Sequence, residues 1–454
     1  MKKRELSSAQ IIPLGFLLVI LIGTVLLLLP ISTASGERAP LLTALFTATT
    51  SVCVTGLVVV DTFSYWSLFG KAVILVLIQI GGRGIVVVSA SLLLLFRKSF
   101  SMRDRALLRD SFDLESIHGV RHFLRQVVIG VFAIEGVGAL LYAAAFIPRY
   151  GFARGVWFSV FHSVSAFCNA GLDLIGPDSL IPYQNDPYVL TVTMLLIVLG
   201  GLGYIVWFDV VSSAKTSCKN RFGVRGFFRG LSEHTRLVLV ISSALILLGA
   251  GLTLLFEFSN PDTLGGMPVG TRILNAFFQS VTYRTAGFAS VPQAGLSDGS
   301  VLLGCVWMFI GGSPMGTAGG VKTSTVAVLI LCAFAYINQL KDATAFRRRI
   351  SSDLIRKAVA IVTASLLISL AATLALTYAE GLKLTDALFE VFSATGTVGL
   401  SRGVTPTLHT FGRIVILICM YLGRISPVAL ALFFYQQSSD KSETHFIRGR
   451  FFVG

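Results

Sequence analysis

The stretch ALFTATTSVCVTGL, residues 44–57, returns three more times along the 454-residue chain. Its echoes are SVFHSVSAFCNAGL (159–172), NAFFQSVTYRTAGF (275–288) and ALFEVFSATGTVGL (387–400). Each is a half-polar segment of one short helix, rich in Ser, Thr and Phe, that runs into a glycine followed by Leu or Phe. Those glycines, Gly56, Gly171, Gly287 and Gly399, lie 115, 116 and 112 residues apart. Even spacing over a whole chain means that one structural unit is built four times.

Composition identifies the solvent. Hydrophobic residues make up 54% of the chain, charged residues 13%, and the mean hydropathy is +0.79, values of a polytopic membrane protein. The net charge of +14 would suit nucleic acid, but its distribution argues against that. Of the 37 Lys and Arg, 25 fall in five clusters: before residue 5, at 97–125, 215–236 and 341–357, and after 440. Every cluster lies at or between the ends of long apolar runs, and the positive-inside rule puts all five on the cytoplasmic side, both termini included. The six cysteines, Cys53, Cys168, Cys218, Cys305, Cys332 and Cys419, show no paired spacing and read as buried apolar residues or free thiols. The apolar run after the basic N-terminus is long enough to span, which favours an uncleaved first helix over a signal peptide.

The first unit opens with a helix over about 11–29, stopped by Pro30 and a polar turn. The 44–57 stretch that follows is too short to cross, since a crossing helix needs about 20 residues, so it reads as a re-entrant half-helix. A second apolar run, 68–96, crosses back. The later units repeat the plan: helix 123–148, half-helix from 156 and return 189–212; helix 237–258, half-helix from 271 and return from 301; helix 358–379, half-helix from 384 and return 411–435. The expectation is an all-α integral membrane protein of four M1–P–M2 units (membrane helix, pore loop, membrane helix), with eight spanning helices and four re-entrant half-helices around a pseudo-fourfold pore. It forms a single transmembrane domain, 1–454, with repeats near 8–122, 123–236, 237–357 and 358–435 and a cytoplasmic tail, 436–454.

A second repeated feature lies in the returning helices: Gly81-Gly82, Gly200-Gly201, Gly311-Gly312 and Gly423 fall 24 to 29 residues after the loop glycines. In the first two, close helix packing is the plain reading. The third, GGSPMGTAGGVKTST at 311–325, carries five glycines and a proline where mid-membrane helix is expected. Such backbone is tolerated only buried in protein or lining water.

Four re-entrant loops around one axis suggest a pore whose narrowest part is backbone, because carbonyl oxygens can replace a hydration shell. A glycine at each apex permits the required angles. The residues ahead of the glycines differ: Cys53-Val54-Thr55, Cys168-Asn169-Ala170, Arg284-Thr285-Ala286 and Gly396-Thr397-Val398. That variation fits a backbone device of only approximate symmetry.

The loops VCVTGL, AFCNAGL, TYRTAGF and GTVGL, with GGSPMGTAGGVKTST and the final GRISP, resemble the Trk/Ktr/HKT superfamily of potassium transporters over essentially the whole chain. Within it the chain is most similar to the membrane subunits of bacterial Ktr uptake systems. The resemblance implies gated potassium uptake across the bacterial plasma (inner) membrane. Potassium would bind at Val54, Thr55, Gly56, Asn169, Ala170, Gly171, Thr285, Ala286, Gly287, Thr397, Val398 and Gly399. Members that favour sodium often carry serine at the first glycine, so Gly56 leans to potassium; the alternative is a sodium-dependent or sodium-permeable transporter of the same fold, with Na+ as activator or cargo. A gate is implied at residues 311–320, with Gly311, Gly312, Gly316, Gly319 and Gly320, together with Lys322 and Arg424. The resemblance also implies a homodimer with one pore per protomer, and a KtrA-like cytoplasmic nucleotide-binding ring on the basic loops. ATP, ADP or another nucleotide would bind that partner, since this chain carries no P-loop. With no HExxH and no Gly-x-Ser-x-Gly, an intramembrane enzyme is disfavoured.

The remaining ionisable residues leave alternatives. Arg424 is either a control element near the gate or a packing residue, and Lys322 either contacts loop carbonyls or a partner, or snorkels. Arg284 is expected to brace the third loop through carbonyls or an acid. Glu135 is either a cation relay or a structural hydrogen-bond partner of a neighbouring loop. Glu390, Asp61 and Asp173 either make the outer mouth negative or cap loops. Arg83 departs from the apolar residue usual between GlyGly and Gly in similar members, and nothing in the sequence accounts for it.

Overall fold

The structure, a computed structural model, describes residues 8–84, 120–220 and 223–425. The first basic cluster, most of the 97–125 cluster, the ends of the first and last returning runs (85–96 and 426–435) and the 436–454 tail lie outside the described residues.

Four described helices are long and apolar enough to span a membrane: α1 (Ser8–Leu27), α5 (Val120–Tyr150), α10 (Glu233–Glu257) and α14 (Ser352–Glu380). Each opens one of the expected units. Their most apolar windows are only 22% to 33% buried, as suits helices that face lipid. Each is followed by a shorter helix of opposite character: α2 (Leu41–Cys53), α6 (Phe152–Cys168), α11 (Val269–Thr282) and α15 (Leu384–Gly396). Helix α2 buries ten of its thirteen residues, Thr47, Thr49, Thr50 and Ser51 among them. Polar groups on most faces are compatible with a membrane only inside protein, so these four helices form the interior.

The returning elements differ more from one another. Helix α4 (Leu68–Arg83) follows the short α3 (Thr62–Tyr65), starts at a Ser67 cap and ends at Gly84, φ 78°. The second return was expected as one helix over 189–212. Instead α7 (Pro187–Leu202) and α8 (Tyr204–Lys219) meet at an angle of 100°. The break is at Gly203, whose φ of 90° is left-handed and whose missing Cβ leaves room for the carbonyl of Pro314. The third return is interrupted as well: α12 (Asp298–Phe309) and α13 (Thr323–Ile337) are separated by thirteen non-helical residues, 310–322. Helix α16 (Thr410–Ile425) runs to the edge of the described residues. Length alone therefore yields four spanning helices among the described residues, or five with the bent pair, because the returns are broken or only partly described.

Helix starts follow ordinary capping. Asp186 accepts from Tyr188 and Val189 ahead of Pro187, and Ser232, Ser297 and Ser351 accept from the N–H groups three residues on. The basic stretch after α13 forms a two-residue-loop hairpin, β1 (Thr344–Ala345) and β2 (Arg348–Arg349). Its Phe346 and Arg347 both have positive φ, as the tight turn requires. The seven-residue α9 (Val224–Gly230) links α8 to α10.

Candidate functional site

The four short helices end alike. Two residues before each loop glycine the backbone turns left-handed, at Val54 (φ 54°), Asn169 (58°), Thr285 (68°) and Thr397 (51°). The glycines themselves have φ of 97°, 64°, 84° and 99°. Loops one, two and four close with the same bond: Thr55 N–H to Thr50 O, Ala170 to Ser165 O and Val398 to Ser393 O, at 2.8 to 2.9 Å. The third closes one residue tighter, Ala286 N–H to Thr282 O at 3.0 Å.

The glycines meet. A Cβ built on Gly56 would lie 2.6 Å from the carbonyl oxygen of Ala170, and one on Gly171 would lie 2.7 Å from that of Ala286. On Gly287 it would strike the carbonyl of Val398, and on Gly399 that of Thr55. Each loop thus presents the carbonyl ahead of its glycine to the glycine of the preceding loop, and the fourth returns to the first. The result is a closed ring of backbone. Side chains at any of these positions would fill its centre.

The alternating Ser and Thr of the short helices have a use that the sequence reading missed. Gly56 N–H donates to Thr50 Oγ1 at 2.9 Å and Gly399 N–H to Ser393 Oγ at 3.0 Å, each six residues back. Ser165 Oγ donates to Leu172 O and Thr282 Oγ1 to Phe288 O, just past the other two glycines. A hydroxyl five or six residues ahead of each glycine was the available signal. The hydroxyls of Thr55 and Thr397 are buried with no partner among the described residues. Asn169 is best oriented with its amide nitrogen toward the Ala166 and Ile197 carbonyls.

On one side of the ring lies a vestibule of about 270 Å³, bordered by all four glycines and by Asp61, Asp173, Ser179, Gln293 and Ser401. Asp61 and Asp173 thus do reach the mouth, although Asp61 also caps α3 through the N–H groups of Phe63 and Ser64. Burial pushes the Asp173 carboxyl up to about 6. Glu390 does not line the mouth; it is fully buried behind the fourth loop, accepting from the Ser401 and Thr405 hydroxyls.

On the other side lies the 310–322 stretch, which is tied down through backbone. Ser313 N–H donates to Gly201 O at 2.9 Å and Thr317 N–H to Gly200 O at 3.0 Å. Thr317 Oγ1 reaches Phe167 O at 3.0 Å, and Met315 O accepts from Tyr204 N–H at 3.2 Å. The stretch also pairs with itself, Gly311 N–H to Val321 O and Thr323 N–H to Gly312 O. Its glycines allow close approach: a Cβ on Gly316 would lie 2.9 Å from Gly200 O, and one on Gly319 would strike the Thr397 side chain. Gly320, at φ 63°, lies against Gly396.

Two cations hold this stretch. Lys322 Nζ donates to Ala318 O at 2.6 Å, so it serves a loop carbonyl. Arg424 donates to Thr317 O and Gly81 O, both at 2.5 Å, and to Gly82 O at 3.3 Å. It therefore fastens the stretch to the C-terminal turn of α4, where Gly81 O also accepts from the N–H of the capping Gly84 at 3.1 Å. Arg284 is buried, and among the described residues its hydrogen-bond partner is neither a carbonyl nor an acid: its Nη2 donates to Ser242 Oγ of α10 at 3.2 Å. Glu135 receives Gln79 Nε2 at 2.8 Å and Arg83 Nη2 at 3.3 Å. Arg83 thus has a partner that sequence distance concealed.

The glycine pairs follow the close-packing reading. Gly81 lies against Val52 O, Gly200 against Phe167 O and Gly423 against Thr395 O, in each case the carbonyl four residues before the loop glycine.

A profile of TrkH, described as a cation transport protein, matches residues 7–445. The chain belongs to the TrkH family of cation transport proteins. It is 36% identical over 453 residues to the potassium/sodium uptake protein NtpJ of Enterococcus hirae, covering 98% of this chain and 97% of that protein. It is 37% identical over 448 residues to the Ktr system potassium uptake protein B of Bacillus subtilis, covering 99% and 97%. The crystal structure of the potassium transporter TrkH from Vibrio parahaemolyticus shares the fold, with a TM-score of 0.72 over 96% of this chain and 86% of that one at 17% identity. TrkH-family membership makes the chain a membrane transporter, not an enzyme.

Proposed function

We propose that this chain is the potassium-translocating subunit of a Ktr-type uptake system, with four M1–P–M2 units around a pseudo-fourfold pore. The observation that carries the reading is the closed ring in which each loop glycine abuts the carbonyl preceding the next. Backbone carbonyls gathered in a ring suit a dehydrated monovalent cation, and glycine keeps the centre open. The short helices point their C-terminal ends at the ring, so their dipoles place partial negative charge where a cation pauses. Residues 54–56, 169–171, 285–287 and 397–399 are then the filter, and Asp61 and Asp173 concentrate cations at its mouth.

The 310–322 stretch, held by Arg424 and Lys322, is the gate in this reading. Potassium uptake is supported by the names of the Enterococcus and Bacillus relatives, and a multi-component system by the latter's. We extend this to a homodimer with one pore per protomer, and to a KtrA-like cytoplasmic ring that carries the regulatory nucleotide. The chain would lie in the bacterial inner membrane with both termini cytoplasmic, as its basic clusters favour.

A sodium-permeable or sodium-dependent transporter is the second reading, favoured by the potassium/sodium name of the Enterococcus relative. Flux into liposomes separates the two. Potassium flux that persists without sodium supports the first reading; equal sodium flux overturns potassium selectivity.

A further inference from the structure

The last turn of α4 is flanked by two arginines. Arg424 comes from α16 and holds the carbonyls of Gly81 and Gly82. Arg83, the next residue along α4, turns away instead and pairs with Glu135 of α5. Both members of that pair are nearly enclosed, their side chains 10% and 5% exposed, and the Arg83 guanidinium also covers the Phe132 ring at 4.0 Å. Its Nε has no partner among the described residues. Arginine near a helix C-terminus ordinarily hydrogen-bonds the terminal carbonyls of its own helix. Here Glu135 supplies the competing attraction.

The carboxylate is itself well placed. Gln79 Nε2 donates to it from one turn earlier on α4, and Cys168 Sγ, at the end of α6, lies 3.8 Å from Oε1. Ser163 Oγ anchors the Glu135 backbone carbonyl at 2.6 Å. Glu135 is thus fixed from three sides, and Arg83 is the group that would move.

We propose that Glu135 is a positioning residue for the gate: it holds Arg83 off the carbonyls of Gly81 and Gly82 and so leaves them to Arg424. This rests on the reading of residues 310–322 as a gate. Without the carboxylate, Arg83 folds back onto its own helix end, displaces Arg424 and frees the Thr317 carbonyl. The stretch then loses its tie to α4.

The test uses the purified full-length chain in phosphatidylethanolamine–phosphatidylglycerol liposomes, with potassium flux normalised to folded, monodisperse protein. E135Q raises flux roughly tenfold, the scale of one charge-assisted hydrogen bond lost from the closed arrangement. R83L/E135Q, which removes the competitor too, returns flux to within about twofold of wild type. A purely structural pair would give fewer folded molecules in both variants with unchanged flux per molecule, and that result overturns the proposal. So does R83L/E135Q as leaky as E135Q. If E135Q does not fold, E135A, which likewise removes the carboxylate, carries the test with the same expected and overturning results. R424Q is the control: if it raises flux and E135Q does not, only the role of Glu135 falls. If R424Q leaves flux unchanged, the gate reading falls and takes this one with it.

Discussion

Arg424 donates to the carbonyl oxygen of Thr317 at 2.5 Å, fastening the last described helix to a broken stretch 107 residues earlier. The same guanidinium holds Gly81 O, so one side chain ties three units together. Hydrogen bonds to a charged group contribute about 1.5–3 kcal/mol each. Arg424→Gln is therefore expected to raise potassium flux by roughly tenfold or more, since about 1.4 kcal/mol is a factor of ten. Tracer uptake into liposomes checks it, and unchanged uptake would remove Arg424 from control.

Gly56→Ser places an atom 2.6 Å from Ala170 O at a φ of 97°, where side chains are strained. Both effects disturb the ring. Sodium permeation should rise relative to potassium while total flux falls, read as the ratio of initial uptake rates. An unchanged ratio counts against the filter assignment.

Thr50 and Ser393 hold the N–H groups of Gly56 and Gly399. Thr50→Val and Ser393→Ala each remove one such bond, worth about 1 kcal/mol, without altering the carbonyls of the ring. Expected is folded protein with a potassium-to-sodium flux ratio lowered severalfold. Loss of folding with no change in ratio would mean that the hydroxyls serve only the helix.

Two glycine substitutions should part company in thermal unfolding. At Gly200 a methyl strikes Phe167 O and comes within 2.8 Å of Thr317 Oγ1, so Gly200→Ala is expected to cost several kcal/mol, about the size of core overpacking or more. Gly251, in α10, has nothing within 4 Å of its Cβ position, and alanine there should be neutral or stabilising by up to about 1 kcal/mol. Equal melting temperatures would mean that the α7 contact yields easily.

Much of this arrangement was legible because bilayer length and a period near 115 residues left few options for stretches such as 44–57. Four short helices ending in glycine follow from those two constraints. What escaped were relations between units. Gly203 lies inside the second return expected over 189–212, and only the neighbouring Pro314 carbonyl shows why the helix breaks there. Arg83 was unaccountable until Glu135, 52 positions away, stood beside it. Arg284 found a serine hydroxyl where an acid or carbonyl was expected, because Ser242 of α10 lies beside it. Periodicity reports what a unit is, and tertiary packing reports what it touches.

The backbone ring imposes an order of events during synthesis. Gly399 abuts Thr55 O, so the ring joins residues more than three hundred positions apart, and the first loop waits on the last. Three quarters of the wall can be inserted before its remaining side exists, and until then the polar apexes face an incomplete partner surface. A chain truncated before its fourth loop would leave the ring open between Gly287 and Thr55.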